Sequence, residues 1–246
     1  MKTLLCLFLA FFILLPIGFL TADEEEPVPD KPSRKKTVFV DGTTRVTRRI
    51  AFLIDISGSM RGEELSIAHR ELISILKEYP DDGLFKVYAF YDIVEIFDAD
   101  TQKMKKGPDD DPDAYADENA WIRMPNREAV DKVHAWLSGF GGGGNTNMTD
   151  AFRVCFAQNK EDDTTIVLIS DGEAGQREVV LAEAVEIAKK RNIAIHTVYV
   201  QGFGYGTEDG KALMMELAEK TGGHAAGWVF ESKPETEPPP IVLPPW

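Results

Sequence analysis

The sequence predicts an α/β fold: a doubly wound, mostly parallel sheet with one antiparallel edge strand and helices on both faces. Three observations predict it. Short runs apolar at nearly every position alternate with longer runs whose apolar residues recur at helical spacing. A strand apolar throughout is buried on both faces, which is the habit of parallel sheets. The helical runs are long enough to carry the chain from one parallel strand to the next.

The elements follow in order. "RIAFLID" (49–55) is a continuous apolar strand. Residues 63–79 place Leu65, Ala68, Leu72, Ile75 and Leu76 on one helical face. "LFKVYAFYD" (84–92) and "VEIF" (94–97) form a strand pair, where the antiparallel edge enters. Helices are expected over 126–140, ended by Gly139, and over 147–159. "TTIVLIS" (164–170) is a second buried strand. The helix over 176–192 carries Lys and Arg at its carboxyl end, which suits its dipole. A strand at 193–200, a helix at 208–223 closing on glycines and a last strand at 224–230 complete the domain.

Outside this domain the composition changes. Residues 1–22 have a lysine followed by an apolar run, then "LTA" before the acidic "DEEE". The run lies between a signal peptide and a membrane span of about 20 residues. Cleavage after Ala22 and retention as an amino-terminal anchor are both open, and either exports the domain: periplasmic, secreted or membrane-anchored. Residues 23–47 read as an acidic, Pro-rich linker and a small β-hairpin around Asp41-Gly42. The domain covers 48–230, and 231–246 is a Pro-rich tail.

The formal net charge of -14 argues against nucleic acid and anionic lipid as partners and is compatible with holding a cation. Of the 2 cysteines, Cys6 lies in the leader, so Cys155 has no intramolecular partner in a processed chain. Its helical apolar position marks it as a small buried hydrophobe.

Ligands of doubly wound sheets sit beyond the carboxyl ends of the strands. Three segments there are rich in short oxygen donors: Asp55-Ile56-Ser57-Gly58-Ser59, "GGGGNTN" (141–147) and Ser170-Asp171-Gly172. Spacing by two lets an extended turn point Asp55, Ser57 and Ser59 the same way. Thr146 adds a hydroxyl and Asp171 a second carboxylate. Such hard oxygens suit Mg²⁺, Mn²⁺ or Ca²⁺ rather than zinc or copper.

These pieces, in this order and at the ends of these strands, resemble the von Willebrand factor A domain and its metal-ion-dependent adhesion site. The resemblance spans roughly residues 48–230 and implies the Rossmann-like fold already read from the pattern. By it, Asp55, Ser57, Ser59, Thr146 and Asp171 carry over as ion ligands. It implies Asp55 fixing the ion, Ser57 and Ser59 coordinating directly, and Thr146 and Asp171 exchanging between direct and water-mediated contact. It further implies a partner protein or peptide whose Asp or Glu completes the shell. The expected protein is an exported, monomeric, metal-dependent binding module with no catalytic role.

Two other functions compete with that expectation. A metal-dependent α/β hydrolase of the phosphatase kind needs a second Asp two residues after the first, where this chain has Ser57. No His or Cys occurs in the three loops to serve as a base. A scaffold or assembly factor that keeps the residues without needing the metal is the other. Some members of the family act beside a chaperone-type ATPase, but an exported amino terminus argues against a cytoplasmic one.

Remaining motifs carry less. "DDDPDAYADE" (109–118) lacks the Gly and Glu of a calcium loop, having Ala114 and Ala120 there. It reads as a solvated insertion within 98–125, a candidate specificity loop. "GFGYG" (202–206) misplaces the third glycine of a dinucleotide loop. The glycosylation sequon Asn147-Met148-Thr149 falls on the metal loop and reads as coincidence. His69, His134, His196 and His224 show no ligand spacing.

Overall fold

In a computed structural model, the chain is described over residues 48–78, 83–97, 121–124, 126–159, 164–201 and 208–228. The leader, the linker and its hairpin, "DDDPDAYADE", "GFGYG" and the tail lie outside the described residues.

The strands are β1 (Arg49–Asp55), β2 (Leu84–Phe90), β3 (Val94–Ile96), β4 (Ile122–Arg123), β5 (Thr164–Ser170), β6 (Ile195–Val200) and β7 (Ala225–Trp228). The helices are α1 (Glu63–Glu78), α2 (Arg127–Leu137), α3 (Met148–Gln158), α4 (Arg177–Lys190) and α5 (Glu208–Thr221). The sheet runs β3-β2-β1-β5-β6-β7. Pairings among β2, β1, β5, β6 and β7 are parallel. The antiparallel edge is β3, as expected. The two-residue β4 also pairs antiparallel with the start of β2, an addition within the segment read as an insertion.

Alternation along each strand builds two cores. Ala51 and Leu53 of β1, with Ile166 and Leu168 of β5, face the helices α3, α4 and α5. Ile50, Phe52 and Ile54, with Val167 and Ile169, face α1 and α2. Burial on both faces is why the middles of β1 and β5, Ile50–Ile54 and Ile166–Ile169, are wholly apolar. Among the described residues no helix is long and apolar enough to cross a membrane.

From β1 the chain crosses to β2 on one side, and later returns to β5 on the other. The crevice between the carboxyl ends of β1 and β5 is therefore the switch point of the sheet, where such folds hold ligands. In register, Ile54 lies beside Ile169, so Asp55 and Ser170 emerge at the same level.

Candidate metal centre

Asp55 is the last residue of β1 and wholly buried. One carboxylate oxygen accepts from the Ser57 backbone N–H at 2.9 Å. The other accepts from the Ser170 hydroxyl at 2.6 Å, across to the end of β5. Burial pushes the Asp55 carboxyl up to about 7, the charge of Asp171 adds to the rise, and the Ser170 and Ser57 hydrogen bonds oppose it.

The hydroxyls lie in a chain. Ser57 and Ser59 Oγ are 3.2 Å apart, and Thr146 donates to Ser57 Oγ at 2.9 Å. Thr146 is brought there by backbone pairing between two loops. Gly58 N donates to Gly144 O at 3.0 Å, and Gly143 N to Ile56 O at 3.1 Å. Gly144 has φ +73°, and a side chain there would collide with Asp92. The conformation and the crowding together demand glycine.

Asp171 follows β5 and is 1% exposed. Its Oδ1 accepts from Glu173 N at 3.0 Å. Its Oδ2 is buried with no hydrogen-bond partner. Burial raises its pKa first; the Glu173 backbone and the Ser59 hydroxyl pull downward, and the charge of Glu64 adds to the rise. The backbone beyond it packs directly on α5: a side chain at Gly172 (φ +75°) would strike the Gly210 carbonyl.

All five sequence-predicted residues thus meet at one place. Asp55 and Asp171 interact through their charges, Ser59 lies near enough to Asp171 to lower its pKa, and Ser57 links Ser59 to Thr146. The donor set fits a hard divalent cation, and the orphaned Asp171 Oδ2 is the observation that argues for one. A buried carboxylate oxygen without a donor is costly. Among the described residues, no three His, Cys, Asp or Glu side chains gather to hold a metal. The cluster has two carboxylates, and its other oxygens are hydroxyls.

Two contributors escape the motif. Ser170 orients Asp55 and also accepts from Gly172 N at 2.9 Å. Asp92, just past β2, accepts from both Asn145 N (3.0 Å) and Asn145 Nδ2 (2.8 Å), clasping the glycine-rich loop. Asp92 sits beyond the carboxyl end of a strand adjoining β1, but nothing in the sequence pairs it with Asn145, 53 residues away. The histidines form no centre here. His196 and His224 stack with centroids 5.7 Å apart, and burial and then His224 lower the pKa of His196 to about 4, so it is neutral. Asn147 spends its amide on capping α3: its oxygen accepts from Asp150 N at 3.3 Å and its nitrogen donates to Asp150 Oδ2 at 2.6 Å.

Comparison with known proteins gives a consistent picture. The family model of the von Willebrand factor type A domain matches residues 48–226. A search of curated proteins found no match. Among solved structures, the human COPII-coat protein Sec24c is similar at 11% identity, covering 77% of this chain and 31% of its own, with a TM-score of 0.52. A von Willebrand factor type A protein from Catenulispora acidiphila is similar at 14% identity, covering 73% and 38%, with a TM-score of 0.49. An aerotolerance-related membrane protein from Bacteroides fragilis is similar at 16% identity, covering 73% and 90%, with a TM-score of 0.43. The chain spans well under two thirds of the length of the first two. At 11% identity, the likeness to Sec24c is one of fold alone.

Proposed function

Because the chain belongs to the von Willebrand factor type A domain family, we propose that it is a non-enzymatic protein-binding module using a divalent cation to recognise a carboxylate on its partner. Asp55, Ser57, Ser59, Thr146 and Asp171 would hold the ion, Mg²⁺ or in its place Mn²⁺ or Ca²⁺. When bound, the ion supplies a positive centre able to accept an acidic side chain from outside. The chain's own residues do the rest. Asp55, fixed by Ser57 N and Ser170 Oγ, orients the serine loop. Asp92 seats the loop that carries Thr146. The leader sequence supports an extracytoplasmic setting, and the chain's negative charge supports a protein rather than a nucleic-acid partner.

One observation carries this reading: the buried, donorless Asp171 Oδ2 within a ring of hard oxygens. A second reading, a scaffold that needs no metal, rests on the hydroxyl chain itself. Thr146, Ser57 and Ser59 already bond to one another, so the loops hold together by themselves.

Thermal midpoints in Mg²⁺, Mn²⁺, Ca²⁺ and chelator, for wild type and Asp55→Ala, separate the two. A cation at a hundred times its dissociation constant stabilises by about 2.7 kcal/mol, or about 5–10 °C for a domain of this size. The expected result is that rise in wild type and none in the variant. Equal midpoints in all conditions would leave the scaffold reading standing.

A further inference from the structure

A groove of about 810 Å³ runs between α1 and α2. Arg70 and Lys77 of α1 line it, as do Asp131 and His134 of α2. Its lining also includes Gly62 and Gly141, which flank in sequence the loops bearing Ser59 and Thr146. Arg61 ties these loops together, donating from Nε to Gly142 O at 3.3 Å.

The charge of this groove runs against that of the chain. The chain as a whole carries a formal net charge of -14. Arg70 and Lys77 are exposed cations to which no hydrogen bond or ion pair ties any described residue. Among the described lining residues, Asp131 is the acidic side chain that offsets them. His69 forms part of the floor, 8% exposed. Burial, and then the nearness of His134, lower its pKa to about 4, so it adds no charge at neutral pH. Two cations with no partner among the described residues therefore line a groove whose walls include the flanks of the loops that would present the ion.

Spacing sharpens the chemistry. At about 1.5 Å per helical residue, Arg70 lies about 12 Å along α1 from Gly62, and Lys77 about 10 Å further. An extended peptide rises about 3.3 Å per residue. Carboxylates about three or four residues apart would match both cations in turn.

We propose that the α1–α2 groove docks an extended acidic segment of the partner, with two further carboxylates set against Arg70 and Lys77. This rests on the cation reading above for the first carboxylate and on the groove alone for the other two.

The test titrates a fluorescent eight-residue Gly/Ser peptide with Glu at positions 1, 5 and 8 against the full chain. A control peptide has Gln at 5 and 8, and a scrambled one has the same charge. Two exposed ion pairs at typical strength predict about tenfold tighter binding of the first peptide than of the Gln control. Arg70→Ala with Lys77→Ala should erase that difference, in Mg²⁺ and in chelator alike. Arg70→Glu with Lys77→Glu should bind a peptide with Lys at 5 and 8 more tightly than the original, an inversion that misfolding could not produce.

Equal binding of the triple-Glu and Gln peptides, both strengthened by Mg²⁺, would overturn the groove and keep the cation. Groove-dependent binding unchanged by Mg²⁺, chelator or Asp55→Ala would keep the groove and sink the cation. Equal affinity for the scrambled peptide, or binding only of phosphatidylserine vesicles, would overturn the proposal.

Discussion

The carboxyl ends of β1 and β5 lie side by side, and both bury an aspartate, but they treat it differently. At the end of β1 both oxygens of Asp55 have donors, Ser57 N and Ser170 Oγ. Past the end of β5, Asp171 has a donor on one oxygen and none on the other. The loop after β1 is laced to the glycine-rich loop by backbone hydrogen bonds, whereas the segment after β5 is wedged against α5 through Gly172 and Gly210. The difference teaches a division of roles. The β1 end presents an aspartate already held on both oxygens by the protein, and the β5 end an aspartate with one buried oxygen that no protein donor reaches.

The largest effect should come from breaking the β5 end. Gly172→Ala forces a side chain, at φ +75°, into the rigid backbone of Gly210. A loss of about 3 kcal/mol or more in urea unfolding is expected, with metal response lost as well. A loss under about 1 kcal/mol would show that the wedge is soft.

The second prediction concerns charge. The folded pKa of Asp55, about 7, lies above its ordinary 3.8. The folded state thus holds this proton more tightly than the unfolded chain does. In chelator, the stability from this group is fully present below about pH 4, declines as pH rises toward 7 and is then lost, by roughly 4 kcal/mol at most. Asp55→Asn should abolish that decline, raise the metal-free thermal midpoint at pH 7.5 and eliminate any metal-dependent rise. Asp171→Asn should also eliminate the metal response but raise the metal-free midpoint less. If the two variants behave alike in chelator, the contrast between the strand ends fails.

Gly144→Ala comes next. It must displace Asp92, which is exposed and can rotate but only by releasing Asn145, and also the edge of the half-buried Tyr91 ring. About 1–2 kcal/mol of stability should be lost, together with a several-fold weaker cation response by calorimetry. Last is Arg153→Ala between α3 and α4. Arg153 bonds both oxygens of Glu183 at 2.8 Å, but the two side chains are 48% and 36% exposed. A loss of under about 1 kcal/mol, reduced by salt and independent of metal, is expected from denaturant melts.

Much of this was legible because burial on both faces writes itself into composition. β5 spans the expected 164–170, and Cys155 is wholly buried on α3, its thiol pushed up to about 12 by burial. Element ends were harder, because apolar residues there serve neighbouring elements. Ile193 and Ala194 looked like the start of β6, yet Ile193 N closes α4 by donating to Ala188 O, beyond Asn192 at φ 54°. Tyr91 and Asp92 looked like the end of β2 but form a turn, with Tyr91 O accepting from Asn147 N. β4 is too short for periodicity to reveal it. In the candidate site, side chains at fixed spacing were readable. The Asp92–Asn145 clasp was not, since its partners are 53 residues apart and neither is apolar or patterned.

The buried thiol of Cys155 has a practical consequence. Cys155 sits at 0% exposure with Asn159 Nδ2 donating to its sulfur at 3.3 Å. Alkylating reagents can reach it only when α3 lifts from the sheet. In a Cys6→Ser chain, its labelling rate would be a built-in clock for opening of the molecule, readable by mass spectrometry with and without magnesium.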